Sequence, residues 1–339
     1  MSSGARYLVT GATGFLGQHL VSALVDAGHE VVALGRSADP SRGATRVHFV
    51  RADVRDRSAL EDAAAGCDGV FHCAGFVSHE PRDAERRWQV HVEGTRAAVA
   101  AARARGVRRL VLASSSGTIA VSRTRDVATE ERERPRGLVA GWPYYRSKLY
   151  AEEEALEASA DGLEVVSVNP SLLLGPGDER GTSTMVVAQA ITGDIPLVPT
   201  GGLSFVDARD AALAMVAAMQ RGRAGACYLV GGCNLTWRDF FGRLERLSGR
   251  RGPKLPLALS PRLARLGAEV LTSTLWRSSL PPPVTPVELE MAQHFWYLDC
   301  GLAERELGFE ARDPQDTLRD TVDDVRRRGR AGVRAVARG

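Results

Sequence analysis

Only two of the 339 residues are lysines, Lys148 and Lys254, although lysine and arginine together number 44. Lys148 lies four positions after Tyr144 in the stretch WPYYRSKLYAEEE (142–154), a spacing that puts both side chains on one face of a helix. A tyrosine, with a reference pKa of about 10, must be acidified before it exchanges protons with an alcohol or carbonyl near neutrality. A neighbouring ammonium does this by stabilising the phenolate. It also offers a compact, rotatable donor for ribose hydroxyls, where the wide planar fork of arginine fits poorly. Tyr145, three positions before Lys148, is the competing assignment, whereas Tyr150 lacks such a partner and reads as a packing or surface residue. The run Ser114-Ser115-Ser116 closes the apolar stretch RRLVLASSS (108–116). A hydroxyl there can hydrogen-bond a substrate carbonyl while the tyrosine protonates it.

A third group of residues could bind phosphate. VTGATGFLGQHL (9–20) places Gly11, Gly14 and Gly17 three apart, between a strand-like run and a helix-like one. The tight turn needs backbone free of Cβ, and the helix that follows aims its amides and positive dipole end at an anion. In this context the motif predicts a dinucleotide site contacted by Gly11, Thr13, Gly14, Phe15, Leu16 and Gly17. The second strand ends at Arg36-Ser37, where NAD-binding chains carry an acid for the ribose. Arg36 can pair with a 2′-phosphate and Ser37 can hydrogen-bond it, so NADP(H) is favoured over NAD(H); Asp39 could still serve a ribose. Asp53 and Val54 are placed for the adenine, and Cys73, Ala74 and Gly75 keep the next strand end open to the cofactor. Tyr144, Lys148, Pro170 and Ser171 complete the predicted cofactor contacts. His72 reads as core, and no zinc-like spacing occurs.

These residues need a scaffold. Strand-like runs at 6–10, 29–35, 47–53, 69–75, 108–116 and 163–171 alternate with helix-like segments at 15–28, 57–65, 84–106 and from 143. Such alternation predicts a doubly wound α/β fold, a parallel sheet covered on both faces, with ligands at the carboxyl ends of its strands. The rhythm breaks after 170. The expected organisation is a dinucleotide domain over 1–170, rejoined by 203–231, and a smaller, mostly helical substrate lobe from 171–202 and 232–325. The stretch 326–339, with six arginines and no acid, is expected as a basic, disordered tail. Apolar residues make up 44% and the net charge is +3, an ordinary globular balance that gives no argument for nucleic acid. No apolar run approaches the roughly 18 residues of a membrane span. The five scattered cysteines form no CxxC pair, which predicts reduced thiols in a cytoplasmic protein.

Together, Gly11-x-x-Gly14-x-x-Gly17, the serine cluster and Tyr144-x-x-x-Lys148 resemble an extended short-chain dehydrogenase/reductase, over residues 5–325. LVLASSSGT and NPSLLLGPGD (169–178) are most similar to the dihydroflavonol reductase and 3β-hydroxysteroid dehydrogenase branch. The resemblance implies an NADP(H)-dependent reduction of a ketone or aldehyde, with Tyr144 as general acid/base, Lys148 lowering its pKa, and Ser115 or Ser116 orienting the carbonyl. The dihydroflavonol reductase pattern maps the serine to Ser115, the sugar epimerase pattern to Ser116. Apolar residues in 255–298, among them Leu257, Leu259, Leu271, Leu275, Trp276, Phe295 and Trp296, favour a hydrophobic substrate or form the core of the lobe. The resemblance also implies a homodimer through the 84–106 helix and the helix from 143; the run Ala97–Ala102 would permit close packing there or against the sheet. Two departures stand out. His91 replaces the usual asparagine in HVEGT, and Gly117-Thr118 replaces the Asp-Glu pair of the sugar-nucleotide dehydratases, which argues against elimination. The alternatives are a nucleotide-sugar 4-epimerase with tightly held NAD and a non-catalytic NADP(H)-sensing regulator, a class that commonly loses the tyrosine or lysine.

Overall fold

The computed structural model describes residues 4–36, 45–78, 81–195, 197–256 and 285–336. Its centre is a seven-stranded sheet built from β1 (Arg6–Thr10), β2 (Glu30–Gly35), β3 (Val47–Arg51), β4 (Gly69–His72), β5 (Arg109–Ala113), β6 (Glu164–Pro170) and a late strand, Cys227–Val230. The spatial order is β3-β2-β1-β4-β5-β6 and then the late strand, with every pairing parallel. This is the doubly wound order, whose direction reverses between β1 and β4 and opens a crevice there at the strand ends.

Apolar residues on both faces of each central strand require a layer of helices on each side. On one face Leu16, Leu20 and Leu24 of α1 (Phe15–Asp26) pack with Ala211, Met215 and Ala218 of the returning helix Ala208–Arg221. On the other, α2 (Arg57–Ala64) and the long helical stretch 84–104 cover Leu8, Val70 and Leu110. Ala97, Ala98, Ala101 and Ala102 are buried in that second layer, so the alanine run packs against the chain's own sheet. The long stretch is not one regular helix: α3 (Ala84–Trp88) passes through a π-helical turn, Gln89–Glu93, into α4 (Gly94–Ala104). A short helix, α5 (Arg136–Val139), precedes α6 (Pro143–Glu157), which starts with proline at its first turn, where the missing amide leaves no bond unmade.

Beyond β6 the chain forms short strands that carry little sequence signal. β7 (Leu172–Leu174), β9 (Gly202–Asp207) and β11 (Cys233–Thr236) make a three-stranded sheet, and β8 (Leu197–Val198) pairs with β12 (Leu255–Pro256); the late strand of the main sheet is β10. Helices α7 (Met185–Thr192), α9 (Trp237–Ser248) and α12 (Pro314–Val336) enclose a separate apolar cluster that includes Val187, Phe240, Phe241, Leu318 and Val322. The returning helix is α8; α10 (Pro286–Met291) and α11 (Gly301–Leu307) complete the described elements. The basic stretch expected as a disordered tail differs. Residues 326–336 continue α12, with a break at Gly329 (φ 69°, ψ 175°), because the helix is anchored by Leu318, Val322 and Val325. Leu257, Leu259, Leu271, Leu275 and Trp276 lie outside the described residues, as do Ser37 and Asp39.

Candidate active site

The glycine turn sits in the crevice. Gly11 follows β1 with φ +66°, and a Cβ there would lie 2.7 Å from the backbone of Ala74 just after β4. A Cβ on Gly17 would lie 2.2 Å from Gly11 O. The turn is therefore closed on itself as only glycine allows, with Thr13 within it and Gly14, Phe15 and Leu16 at the amino end of α1. Gly14 supplies the N-cap without a side-chain cap, so the helix amides there are not taken by a capping side chain. This geometry fits a pyrophosphate.

At the adenosine end, Arg36 is exposed just after β2. Asp53 is engaged by its neighbour: Arg55 Nε donates to Oδ1 at 2.8 Å and Nη2 to Oδ2 at 3.1 Å. The Arg55 bonds hold the Asp53 carboxyl below its ordinary pKa, with Arg36 contributing at longer range. Val54 is buried against Gly94. Cys73 Sγ lies 3.8 Å from Met215 Sδ, and Ala74 N donates to Thr10 Oγ1 at 3.3 Å. His72 is core, as its sequence context suggests: Thr10 and Thr95 bond its two ring nitrogens at 2.9 and 3.2 Å, and burial lowers its pKa to about 3. Pro170 ends β6; Ser171 N donates to Val230 O, while its buried Oγ has no hydrogen-bond partner among the described residues.

Helix α6 lays Tyr144 and Lys148 across the end of β5. Lys148 Nζ donates to Ala113 O at 2.8 Å. The side chain is buried, and this desolvation lowers its pKa from the ordinary 10.5 to about 8. A Cβ built on Gly75 would lie 3.9 Å from Nζ and 3.6 Å from His91 Nε2, so the loop after β4, Lys148 and His91 meet at one point. Burial pushes the Tyr144 phenol up to about 12. The lowering by Lys148 expected from the sequence is not seen: burial, which removes water from around a phenolate, is the cause of the shift.

The two adjacent tyrosines meet edge-to-face, ring centroids 5.0 Å apart, and differ in their other neighbours. Tyr144 packs edge-on against His91, ring centroids 5.4 Å apart. Tyr145 turns into an aromatic cluster with Trp296 (4.8 Å) and Trp142 (6.3 Å), and lies so close to Gly117 that a Cβ there would come within 2.2 Å of its ring. Tyr150, 41% exposed, meets Trp88. His91 is held at both nitrogens: Phe76 N donates to Nε2 at 3.0 Å, which leaves the proton on Nδ1 to face Ser147 Oγ at 2.8 Å. Burial, then Lys148, holds its pKa well below the usual histidine range.

The serines also differ. Ser114 is buried and bonded to Glu152, Ser116 is buried in the 3₁₀ turn Ser116–Thr118, and Ser115 is half-buried, its Oγ accepting from Gly117 N at 3.3 Å. Glu152, Arg134 and Asn169, gathered behind this turn, and the ring contacts of His91 were not anticipated as site features; the one sequence signal was that Glu152 continues the i, i+4 series of Tyr144 and Lys148. Among the described residues no acidic, histidine or cysteine cluster could hold a metal, and no helix is long and apolar enough to cross a membrane.

The comparisons with known proteins agree with this fold. The model of the NAD dependent epimerase/dehydratase family matches residues 7–231. The chain is 31% identical to a 2-alkyl-3-oxoalkanoate reductase of Stenotrophomonas maltophilia, over 90% of this chain and 94% of that one. It is 36% identical to a dihydroflavonol 4-reductase of Zea mays over 56% and 59%. The solved structure of a nucleoside-diphosphate-sugar epimerase from Pseudomonas aeruginosa superposes with a TM-score of 0.77 at 28% identity, covering 96% and 98%. With the closed glycine turn at the β1–β4 crevice and a tyrosine and lysine on one helix, the chain belongs to the NAD-dependent epimerase/dehydratase family of extended short-chain dehydrogenases/reductases and is an NAD(P)-dependent oxidoreductase.

Proposed function

We propose that the chain is an NADP(H)-dependent reductase of a hydrophobic ketone or aldehyde, with Tyr144 as general acid/base. The observation that carries the reading is Lys148 tied to Ala113 O at the end of β5, near Gly75 in the loop after β4, with Tyr144 one turn before it on the same helix and packed on His91. When bound, the nicotinamide cofactor supplies the hydride. The chain supplies the rest. Tyr144, which burial raises still further above neutrality, is protonated at neutral pH, the form a reduction requires, since the phenol must give its proton to the carbonyl oxygen. Lys148, charged below about pH 8, stands by to stabilise the phenolate left behind and to hold ribose hydroxyls. Ser115, the least buried of the three serines, hydrogen-bonds the carbonyl, with Ser116 as the alternative.

Arg36 and Arg55 place two guanidinium groups at the adenosine end, and Arg55 already occupies Asp53. That leaves the 2′-position facing positive charge, which supports NADP(H). Residues 171–202 and 232–325 form the substrate lobe in this reading. The names of relatives that act on a 2-alkyl-3-oxoalkanoate and a dihydroflavonol support an apolar carbonyl substrate. A homodimer would use the outer faces of α4 and α6, which Arg96 already bridges through Glu154. The second reading, a nucleotide-sugar 4-epimerase with retained NAD, uses the same residues and is favoured by the Pseudomonas aeruginosa structure.

The test is NADPH and NADH consumption with 2-alkyl-3-oxo acids, dihydroflavonols and ketosteroids. The Tyr144→Phe variant should lose about 10²–10⁴ in kcat. Tyr145→Phe, which keeps the ring that packs on Tyr144, Trp296 and Gly117 and removes only its hydroxyl, should stay within about fivefold of wild type. Absence of net consumption, with NAD(H) retained through purification, would replace the reductase by the epimerase.

A further inference from the structure

Behind the serine turn lies a buried charge cluster that proton transfer does not use. Glu152 is fully buried on α6, one turn beyond Lys148. Its Oε2 accepts from Ser114 Oγ, from Thr118 Oγ1 at 2.9 Å and from Asn169 Nδ2 at 2.6 Å. Its Oε1 pairs with Arg134 Nη1 at 2.6 Å and accepts from Cys227 Sγ at 3.4 Å. Asn169 is itself oriented, because Ser167 Oγ donates to its Oδ1 at 3.0 Å and so turns Nδ2 toward the carboxylate. The same Nδ2 lies 3.2 Å from Ser115 O, and Arg134 Nη1 lies 3.2 Å from Thr118 Oγ1.

A carboxylate removed from water is costly unless both oxygens are paired and hydrogen-bonded. Here both are, by groups from four separate places: the serine turn, the Arg134 loop, β6 and β10. A fully satisfied network of this kind has one low-energy arrangement and rigidifies what it touches. What it touches is the turn that presents Ser115 and Ser116: Ser114 at its start, the Ser115 carbonyl, and Thr118 at its end. The carboxylate also favours the charged form of Lys148.

We propose that Glu152 is a positioning residue for the reaction: with Arg134 and Asn169 it clamps the Ser114–Thr118 turn from behind and fixes the hydroxyl that meets the substrate carbonyl. The inference rests on the assignment of that turn to the carbonyl. A glutamine at 152 keeps the volume but leaves only one accepting atom, so either Arg134 or the three donors at Oε2 lose their partner. Thr118→Val removes one donor without leaving a charge unpaired.

Both variants should be compared with the full-length wild type by steady-state kinetics, NADPH binding followed by fluorescence, and hydrogen exchange of the peptides covering 114–120. In Glu152→Gln, kcat should fall about tenfold or more, the loss expected for one or two hydrogen bonds. NADPH affinity should stay within about twofold, and exchange at 114–120 should accelerate about tenfold while that of β1 is unchanged. Thr118→Val should move the same readings in the same direction. A merely structural role would lower the melting temperature and accelerate exchange throughout, leaving kcat of the folded fraction unchanged; that outcome overturns the proposal. Should Glu152→Gln fail to fold, Thr118→Val decides alone. Should wild type reduce no carbonyl, the reductase reading falls, while exchange at 114–120 still decides the clamp.

Discussion

Replacing Lys148 by methionine keeps the length and apolar stem of the side chain and removes its charge and its bond to Ala113. Burial lowers the lysine from 10.5 to about 8. At about 1.36 kcal/mol for each tenfold change in proton affinity, the folded chain holds the ammonium at a disadvantage of about 3 kcal/mol relative to the neutral amine. The sign follows from proton linkage. Between pH 8 and 10.5 this lysine is more protonated in the unfolded chain than in the folded one, so its own contribution to wild-type stability rises with pH through that window, and the disadvantage is fully present below it. Cys73 and Tyr144, raised by burial from 9.0 and 10.0 to about 12, titrate in the unfolded chain above about pH 9 and act in the opposite sense, but they are present in both proteins and cancel in the difference; His72 and His91 are held low. Methionine does not titrate. The stability of Lys148→Met relative to wild type should therefore decline by about 2.5 kcal/mol from about pH 7 to about pH 10. The lost bond to Ala113 adds a constant offset and leaves this slope untouched. Urea midpoints followed by tryptophan fluorescence, at unchanged m, measure it. The same variant should lose about 10²-fold or more in kcat. A stability difference that stays flat with pH would refute the reasoning, since it would mean that the ammonium is solvated and not held in reserve for a phenolate.

Two glycines at the cofactor crevice should respond oppositely to alanine. Gly17→Ala puts a methyl 2.2 Å from Gly11 O and should cost about 1–3 kcal/mol of stability and weaken NADPH binding at least about tenfold. Gly75→Ala meets His91 and Lys148 only at ordinary contact distance and should change stability by no more than about 0.5 kcal/mol, as read from thermal melts. Arg36→Ala should lower the NADPH-to-NADH ratio of kcat/KM by about tenfold or more, the worth of a hydrogen bond to a charged group; an equal loss with both cofactors would remove Arg36 from 2′-phosphate recognition.

Much of the dinucleotide half is legible in the sequence because a strand buried on both faces reads as a mainly apolar run, as the centres of β1 and β2 do and as β6 does but for Ser167 and Asn169. Strand ends are less legible. β5 stops at Ala113 rather than Ser116, because the chain turns into a 3₁₀ segment held by Glu152, a partner far away in sequence. The small sheet of β7, β9 and β11 escapes detection in part because strands of three or four residues show no period. The π-turn at His91 escapes because one extra residue per turn leaves the apolar pattern nearly intact. At the site, residue type and spacing point to Tyr144 and Lys148, but only tertiary packing separates Tyr144 from Tyr145, through the contact of Tyr145 with Gly117 and Trp296. The pKa of Tyr144 is the plainest failure of spacing alone: i, i+4 proximity says how near the ammonium is, and nothing about how much water has been removed.

Why a chain so rich in arginine keeps lysine at 148 now has a physical answer. Many arginines pair at the surface, as Arg57 with Glu61 and Arg105 with Asp62 do, where water carries much of the cost of the charge, while the buried Arg109 spreads its fork over Glu164 and the carbonyls of Ala218 and Met219. Position 148 is buried, and a guanidinium there would remain charged at every accessible pH. It would also need to spread a planar fork in the space beside Gly75 where a single nitrogen meets the Ala113 carbonyl. An ammonium meets that carbonyl as a point donor, can release its proton near pH 8, and sits one turn from a carboxylate, Glu152, that favours its charged form. Two buried ionic groups on one helix face, each opposed by burial and retained together, are a departure from ordinary core chemistry of the kind that functional sites carry. In the proposed reduction, Tyr144 gives up its proton on the same helix face as Lys148, and the phenolate so formed is what the ammonium, held at a disadvantage by burial, would gain most from meeting.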